Sequence, residues 1–246
     1  MNEEWIVGRH PVEEAIRSGR EINKIWFNKE GKGYTSLLNL AKQRGIAVQF
    51  VPKQKLERLV GTGRHQGVVA SIAAYRYAAI DHLFAIADKR GEPPFFLMLD
   101  DIEDPHNLGS ILRTADASGC HGIIIPKRRS VGLTPIVAKA STGAIEYVPV
   151  VREANLASTM DQLKKRGVWF IGTAADGSER YDSADYSLPL CLVIGNEGTG
   201  MSRLVREKCD FLVRIPMCGK VTSLNASVAA ALLMYEVFRA RRRKSG

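Results

Sequence analysis

Leu192-Val193-Ile194-Gly195-Asn196-Glu197-Gly198-Thr199-Gly200-Met201-Ser202 decides how this chain is read. Its first three residues end a short apolar run of branched side chains, which predicts a buried strand. Glycines at 195, 198 and 200 then break the run, giving a loop that can take positive φ and bring backbone close to a ligand. One carboxylate, Glu197, sits among them. An apolar strand that empties into a glycine-rich loop at its carboxyl end is where open α/β sheets place ligands. The spacing is not the G-x-G-x-x-G of dinucleotide binders, and a tight turn uses the same glycines. Taken alone, the stretch leaves site and turn both open.

The flanking sequence supplies the sheet. Phe95 to Leu99 is a continuous apolar strand ending in Asp100 and Asp101, Asn107 to Gly119 reads as a helix, and Gly122 to Pro126 as the next strand, a βαβ unit. The alternation continues: helix Ile136–Thr142, strand Tyr147–Val150, helix Leu156–Arg166, strand Val168–Thr173, then Leu190–Ile194 and Phe211–Ile215. A long helix, Asn225 to Arg243, closes the chain, with its expected apolar face at Val228, Ala231, Leu232, Tyr235 and Phe238. Fully apolar strands predict an α/β fold with a parallel sheet covered on both faces. Before Pro93-Pro94, residues 75–94 have mixed composition around a predicted helix, Ile80–Ala87, and read as a linker. Residues 1–74 read as a separate α/β unit, with strands at Ile22–Phe27, Ala47–Val51 and Gly67–Ile72. The expected division is therefore 1–74, 75–94 and 95–246.

Composition bounds the function. With 246 residues, 45% hydrophobic and 25% charged, the chain is ordinary globular protein. No apolar run reaches the roughly 20 residues a membrane helix needs, and the acidic start lacks a signal-peptide core, so a cytoplasmic location is expected. Cys120, Cys191, Cys209 and Cys218 form no C-x-x-C pair and the histidines no metal-ligand spacing, so no metal is expected and any cofactor should be organic. Residues 1–80 hold 13 Lys/Arg against 7 Asp/Glu, residues 81–246 hold 22 against 19, and five of those 22 lie in the tail Arg239–Lys244. Positive charge on the N-terminal part and the tail suits a polyanionic partner, or is a solvated surface with a frayed helix end. The loop Gly61–Gly67 presents Arg64, His65 and Gln66 to RNA, or is a glycine-padded surface loop.

Three segments carry a resemblance. They are Asn107-Leu108-Gly109-Ser110-Ile111-Leu112-Arg113-Thr114-Ala115, Ile194-Gly195-Asn196-Glu197-Gly198-Thr199-Gly200-Met201, and Ile215-Pro216-Met217 through Ser223-Leu224-Asn225-Ala226-Ser227-Val228-Ala229. In order and spacing they resemble the motifs of the SpoU/TrmH family of RNA ribose 2′-O-methyltransferases, with asparagine and arginine in the first, glutamate in the second, and serine and asparagine in the third. Val7-Gly8-Arg9-His10-Pro11-Val12-Glu13 and His65-Gln66-Gly67 resemble the ribosomal-protein-like RNA-binding domain of the branch that methylates 23S ribosomal RNA.

The resemblance implies a SPOUT catalytic domain with a C-terminal trefoil knot, a rarity among folds. It implies S-adenosyl-L-methionine as cofactor, held by backbone around Gly195, Ile215 and Leu224 with Asn196, Gly198 and Met217. Asn107, Arg113, Glu197, Ser223 and Asn225 become the catalytic set, and Arg9, Arg64 and His65 the substrate contacts. It further implies a homodimer with the active site near the subunit interface, and a guanosine in the peptidyl-tRNA-binding loop of large-subunit ribosomal RNA as target. Rival readings are a transfer-RNA methyltransferase, against which residues 1–72 count; a resistance methylase acting on a ribosomal adenosine; and a non-catalytic ribosome-assembly factor, against which the intact polar set counts. A nicotinamide enzyme lacks its G-x-G-x-x-G turn.

Ribose 2′-O-methylation is an in-line displacement at an activated methyl group, so the protein has to align oxygen, carbon and sulfur and deal with one weakly acidic proton. A guanidinium stays protonated above pH 12, which makes arginine a poor base. Arg113 either has its basicity severely depressed or stays charged, orients ribose or phosphate and stabilises developing negative oxygen; the second is favoured. Glu197 is expected to orient Arg113 through a charge-assisted pair. Asn107, Ser223 and Asn225 supply directional hydrogen bonds, or serve as helix N-caps.

Overall fold

The structure is a computed structural model that describes residues 4–20, 22–61, 65–72 and 76–243. By internal contacts the chain divides into two units, residues 1–76 with 133–147 and residues 77–132 with 148–246.

The first unit is built on a four-stranded sheet of order β1-β4-β2-β3, from β1 (Glu4–Val7), β2 (Ile22–Asn28), β3 (Val48–Val51) and β4 (Val68–Ile72). β4 runs antiparallel to β1 and β2, while β2 and β3 are parallel. The period-two alternation of β2 explains why helices cover both faces. Ile25 and Phe27 join Val12, Ile16 and Leu37 of α1 (Arg9–Arg17) and α2 (Thr35–Gln43). Trp26 turns the other way, to Leu56 of α3 (Lys53–Val60) and to Val69. Residues 133–147, placed by sequence in the catalytic region, belong to this unit: a short helix, α6 (Pro135–Ala140), packs on β1, and a nearly buried ion pair joins Arg20 to Glu146 at 2.8 Å.

The second unit holds a seven-stranded sheet whose recorded pairings are all parallel: β5 (Phe95–Leu99), β6 (Gly122–Pro126), β7 (Val150–Glu153), β8 (Trp169–Thr173), β9 (Glu179–Arg180), β10 (Leu190–Ile194) and β11 (Phe211–Arg214), in the order β7-β6-β5-β10-β8-β11-β9. The strand expected at Tyr147–Val150 begins instead at Val150. Pro149 has no N–H to give a ladder, and the 3-10 turn Ala144–Glu146 occupies the preceding residues.

On one face Phe96, Met98, Val193 and Phe170 pack against α4 (Ile80–Arg90), α7 (Leu156–Lys164) and α8 (Arg203–Glu207). The segment read as a linker therefore contributes core side chains, Leu83 and Phe84, because its apolar residues fall on one helical stripe. The remaining helices, α5 (Pro105–Ser118) and α9 (Ala226–Arg243), pack against each other, and α9 also packs against β10.

α9 buries a different stripe from the one expected. Ala226, Ala230, Leu233, Met234 and Val237 are inside, while Val228, Leu232 and Tyr235 are 46%, 37% and 49% exposed. Both stripes satisfy helical spacing, so periodicity alone could not choose between them.

Strand order places the site. From β5 the chain moves outward to β6 and β7, returns on the other side as β8, and only later inserts β10 between β5 and β8. The loops that leave β5 and β10 thus emerge side by side at a topological switch point, the position where such sheets bind ligands.

Candidate active site

Asp100 Oδ2 accepts from Ser202 N at 2.7 Å, and Asp100 N donates to Ile194 O at 2.8 Å, so the two loops are joined at their roots. The β10 loop then folds on itself. Asn196 and Gly200 exchange backbone hydrogen bonds at 3.1 and 2.9 Å, and Asn196 Oδ1 accepts from Gly198 N at 2.8 Å and Thr199 N at 3.3 Å. Asn196 Nδ2 reaches across to Asp101 O at 3.1 Å. A Cβ on Gly195 would lie 2.3 Å from the backbone of Gly200 and Met201, so only glycine permits this crossing. Two of the glycines read as site or turn thus serve the turn that builds the site.

Glu197 projects from this loop, and its Oε1 collects three donors: Asn107 Nδ2 at 2.8 Å, Asn225 Nδ2 at 2.7 Å and Ala226 N at 3.1 Å. Asn225 Nδ2 also contacts Asn107 Oδ1 at 2.9 Å. The carboxylate therefore lies at the N-terminus of α9, where orphan N–H groups and the helix dipole favour negative charge. Asn107 is free for this role because the cap of α5 is Asp104, whose carboxylate accepts from His106 N, with Pro105 in the first turn. Asn225 does both jobs weighed for it: its Oδ1 caps α9 through Ser227 N at 3.0 Å while its Nδ2 faces Glu197.

Beside the cluster lies a cavity of about 1030 Å³ in which the loops after β8, β10 and β11 meet. Gly195, Asn196, Gly198, Ile215, Met217 and Leu224 all line it, as do Glu197 and Ser223. Apolar walls come from Ile194, Val213 and Ala229, while Asp176 and Arg206 add opposite charges, paired at 2.8 Å. That hydrogen-bonded pair lowers the Asp176 carboxyl from its ordinary range. Sequence reading left both residues without a role; the signal present was a carboxylate in the loop after an apolar strand.

Arg113 stands apart. It is exposed on α5 and, among the described residues, has neither hydrogen bond nor ion pair; the expected partner, Glu197, is engaged by the two asparagines instead. The substrate contacts expected in the first unit are also redistributed. The Arg9 guanidinium holds Lys32 O at 2.6 Å, Gly33 O and Gln66 O, and lies over the Tyr34 ring. His65 is buried, its Nδ1 accepting from Gly67 N at 3.0 Å. Both fix loop shape, because a carbonyl-rich turn consumes any donor folded into it. Arg64 lies outside the described residues. Two cations of the basic tail are similarly spent: Arg241 donates to the carbonyls of Pro93 at 2.6 Å and of Pro94 and Leu188 at 3.0 Å, and Arg239 pairs with Glu236. Among the described residues no cluster fit for a metal ion occurs, and no helix is long and apolar enough to cross a membrane.

A doubly covered parallel sheet with a polar cluster and a cavity at its switch point defines an α/β enzyme with a nucleotide-sized site. The chain belongs to the SpoU rRNA methylase family, whose profile matches residues 94–235; a second profile, RNA 2′-O ribose methyltransferase substrate binding, matches residues 5–78. YacO of Bacillus subtilis (strain 168), which carries the name TrmH family tRNA/rRNA methyltransferase, is 57% identical over 97% of this chain and 96% of its own. The SpoU methyltransferase AviRb from Streptomyces viridochromogenes, solved in complex with AdoMet, matches with a TM-score of 0.83 and 28% identity over 99% of this chain and 91% of its own. An AdoMet-bound rRNA methyltransferase from Sinorhizobium meliloti matches at 0.80 and 27%, over 96% of this chain and 87% of its own.

Proposed function

We propose that this RNA methyltransferase transfers a methyl group from S-adenosyl-L-methionine to a ribose 2′-oxygen in large-subunit ribosomal RNA, most specifically to a guanosine of the peptidyl-tRNA-binding loop. The observation that carries the reading is the Asn107–Glu197–Asn225 cluster beside a cavity that all six expected cofactor residues line. The cavity is large enough for a dinucleotide-sized ligand, and its mixture of apolar wall, loop backbone and carboxylates fits a nucleoside bearing an amino acid and a cationic sulfur. When bound, the cofactor supplies an activated methyl group.

The chain supplies alignment and charge. Gly195, Asn196 and Gly198 offer backbone groups to the cavity, and Ile215, Met217 and Leu224 add apolar lining. Asn107 and Asn225 hold Glu197 in one orientation, with all three donors on Oε1. Arg113, exposed and without a partner, meets the RNA as a charged group: it orients ribose and phosphate and stabilises the oxygen while another group takes its proton. Ser223, exposed on the cavity lining, adds a hydroxyl to the same rim. Residues 1–74 act as the RNA-binding domain, with exposed His10, Lys29, Lys32 and Gln66 as the contact groups around the turn that Arg9 and His65 shape. The uncovered stripe Val228, Leu232 and Tyr235 fits a second copy of the chain, giving a homodimer. A trefoil knot through the loops after β10 and β11 and a cytoplasmic location, where ribosomal RNA is found, complete the reading.

The test is methyl transfer from labelled S-adenosylmethionine to unmodified large-subunit ribosomal RNA, the product mapped by resistance to alkaline cleavage. One resistant linkage, absent with Arg113→Ala, is the expected result. Transfer to transfer RNA alone would overturn the ribosomal assignment, and cofactor binding without transfer to either RNA would overturn the catalytic one.

A further inference from the structure

Seven basic side chains of the second unit sit in ion pairs. Lys164 pairs with Asp210, Arg166 with Asp81, Lys208 with Asp161 and Arg203 with Glu207, while Arg214 and Arg241 are spent on carbonyls. Among the cations left without an ion pair, three are consecutive. Lys127, Arg128 and Arg129, directly after β6, are all exposed and have no ion-pair partner among the described residues.

Their loop is held in one shape. Lys127 N donates to Glu153 O at 2.8 Å, Arg152 Nη2 to Lys127 O at 3.0 Å, Ser130 Oγ to Pro126 O at 2.5 Å and Val131 N to Ile102 O at 3.0 Å. Arg129 takes φ of 56°, a left-handed conformation that costs a residue with a Cβ about 1–2 kcal/mol. A solvated run of charge needs neither the strain nor the anchoring.

Position gives the loop a use. β6 neighbours β5 in a parallel sheet, so the loop leaves the same end as the one carrying Asn107, and the Val131–Ile102 bond joins the two. The cavity lies on the other side, at the ends of β10, β8 and β11. The Asn107–Glu197–Asn225 cluster is thus flanked by the cavity on one side and by three uncompensated cations on the other.

We propose that Lys127, Arg128 and Arg129 clamp phosphates of the single-stranded RNA next to the target ribose, fixing the direction in which the strand leaves the site. This rests on the RNA-methyltransferase reading above. The clamp reads backbone charge and no base.

The experiment compares Arg128→Ala/Arg129→Ala with Lys89→Ala/Lys165→Ala, which removes the same charge from exposed lysines elsewhere in the unit. Equilibrium binding of a ribosomal-RNA fragment is measured across a salt series, with S-adenosylmethionine affinity as the folding control. The clamp pair should weaken RNA binding about tenfold and flatten the plot of log affinity against log salt by about 1.4, at roughly 0.7 per phosphate contact on a single strand. The lysine pair should change either quantity little. Equal effects from the two pairs, or none from the clamp pair, overturn the inference and leave the enzymatic reading intact. Failure of the unaltered protein to bind any RNA overturns that reading, and the clamp with it.

Discussion

Asn225 joins Glu197 at 2.7 Å through its amide nitrogen while its amide oxygen caps the helix that follows. One side chain thus couples a helix start to the Glu197 carboxylate, and substitutions can separate the two duties. Asn225→Ser keeps a capping oxygen but loses the amide that donates to Glu197; methyl transfer should fall at least 100-fold, the scale seen when a positioned donor is lost, with thermal stability nearly kept. Asn225→Ala should lose both, with about 1 kcal/mol of stability gone with the cap. Melting curves beside initial rates read the two effects. Equal stability loss in both variants would count against the division.

Asn107 is the second donor on the same oxygen and caps nothing. Asn107→Ala should therefore lower turnover about tenfold to 100-fold while moving the unfolding midpoint little. A shift in stability as large as that of Asn225→Ala, measured by urea titration, would make Asn107 a structural residue.

His121 is fully buried, with Nδ1 accepting from Phe95 N at 3.0 Å and Nε2 lying 2.9 Å from Glu92. Since one ring nitrogen accepts, the other carries the proton and donates to the carboxylate. Burial lowers the imidazole's affinity for a second proton, and the Glu92 contact opposes this only in part. The unfolded chain therefore binds that proton more readily than the folded one. His121 contributes its full stability above the unfolded value, near pH 6.5, and loses it as the pH falls below. Urea midpoints measured from pH 8 to pH 5 should decline, and His121→Gln should flatten that decline.

Arg241 spans the carbonyls of Pro93, Pro94 and Leu188 and lies over the Phe95 ring. Its loss leaves half-buried acceptors without donors, so Arg241→Ala should cost about 2–3 kcal/mol. RNA affinity should stay unchanged. Weaker RNA binding at constant stability would instead return this arginine to the electrostatic role that its place in a basic tail suggested.

Tyr235→Glu introduces charge into the exposed stripe of α9 without touching the buried one. Sedimentation velocity should show a dimer for the unaltered chain and a monomer for the variant. A variant that remains dimeric would move the partner surface away from α9.

Much of this was legible in the sequence because parallel strands buried on both faces have an unmistakable composition. The apolar runs at Phe95–Leu99, Gly122–Pro126 and Leu190–Ile194 sit where they were expected. Gly195, Gly198, Ile215, Met217 and Leu224 line one cavity. What failed is what depends on partners far away in the chain. The buried stripe of α9 is chosen by packing on α5 and β10, which helical spacing cannot register. Arg9 and His65 carry the right chemistry for RNA, yet carbonyls 23 and 24 residues away and the Gly67 amide consume it. Glu197 was assigned the nearest opposite charge in the motif set, whereas the fold supplies two amides and a helix N-terminus.

The late insertion of β10 has a consequence for how the protein is made. Asn107, Glu197 and Asn225 are spread over nearly half of the chain, yet they meet at one oxygen atom, Glu197 Oε1. A growing polypeptide that has released all eleven strands still lacks the last of the three, because β11 ends at Arg214. A product truncated between residues 214 and 225 therefore retains every strand of both sheets but cannot assemble the Asn107–Glu197–Asn225 cluster. The cluster closes only with the chain's last helix, after every strand is in place.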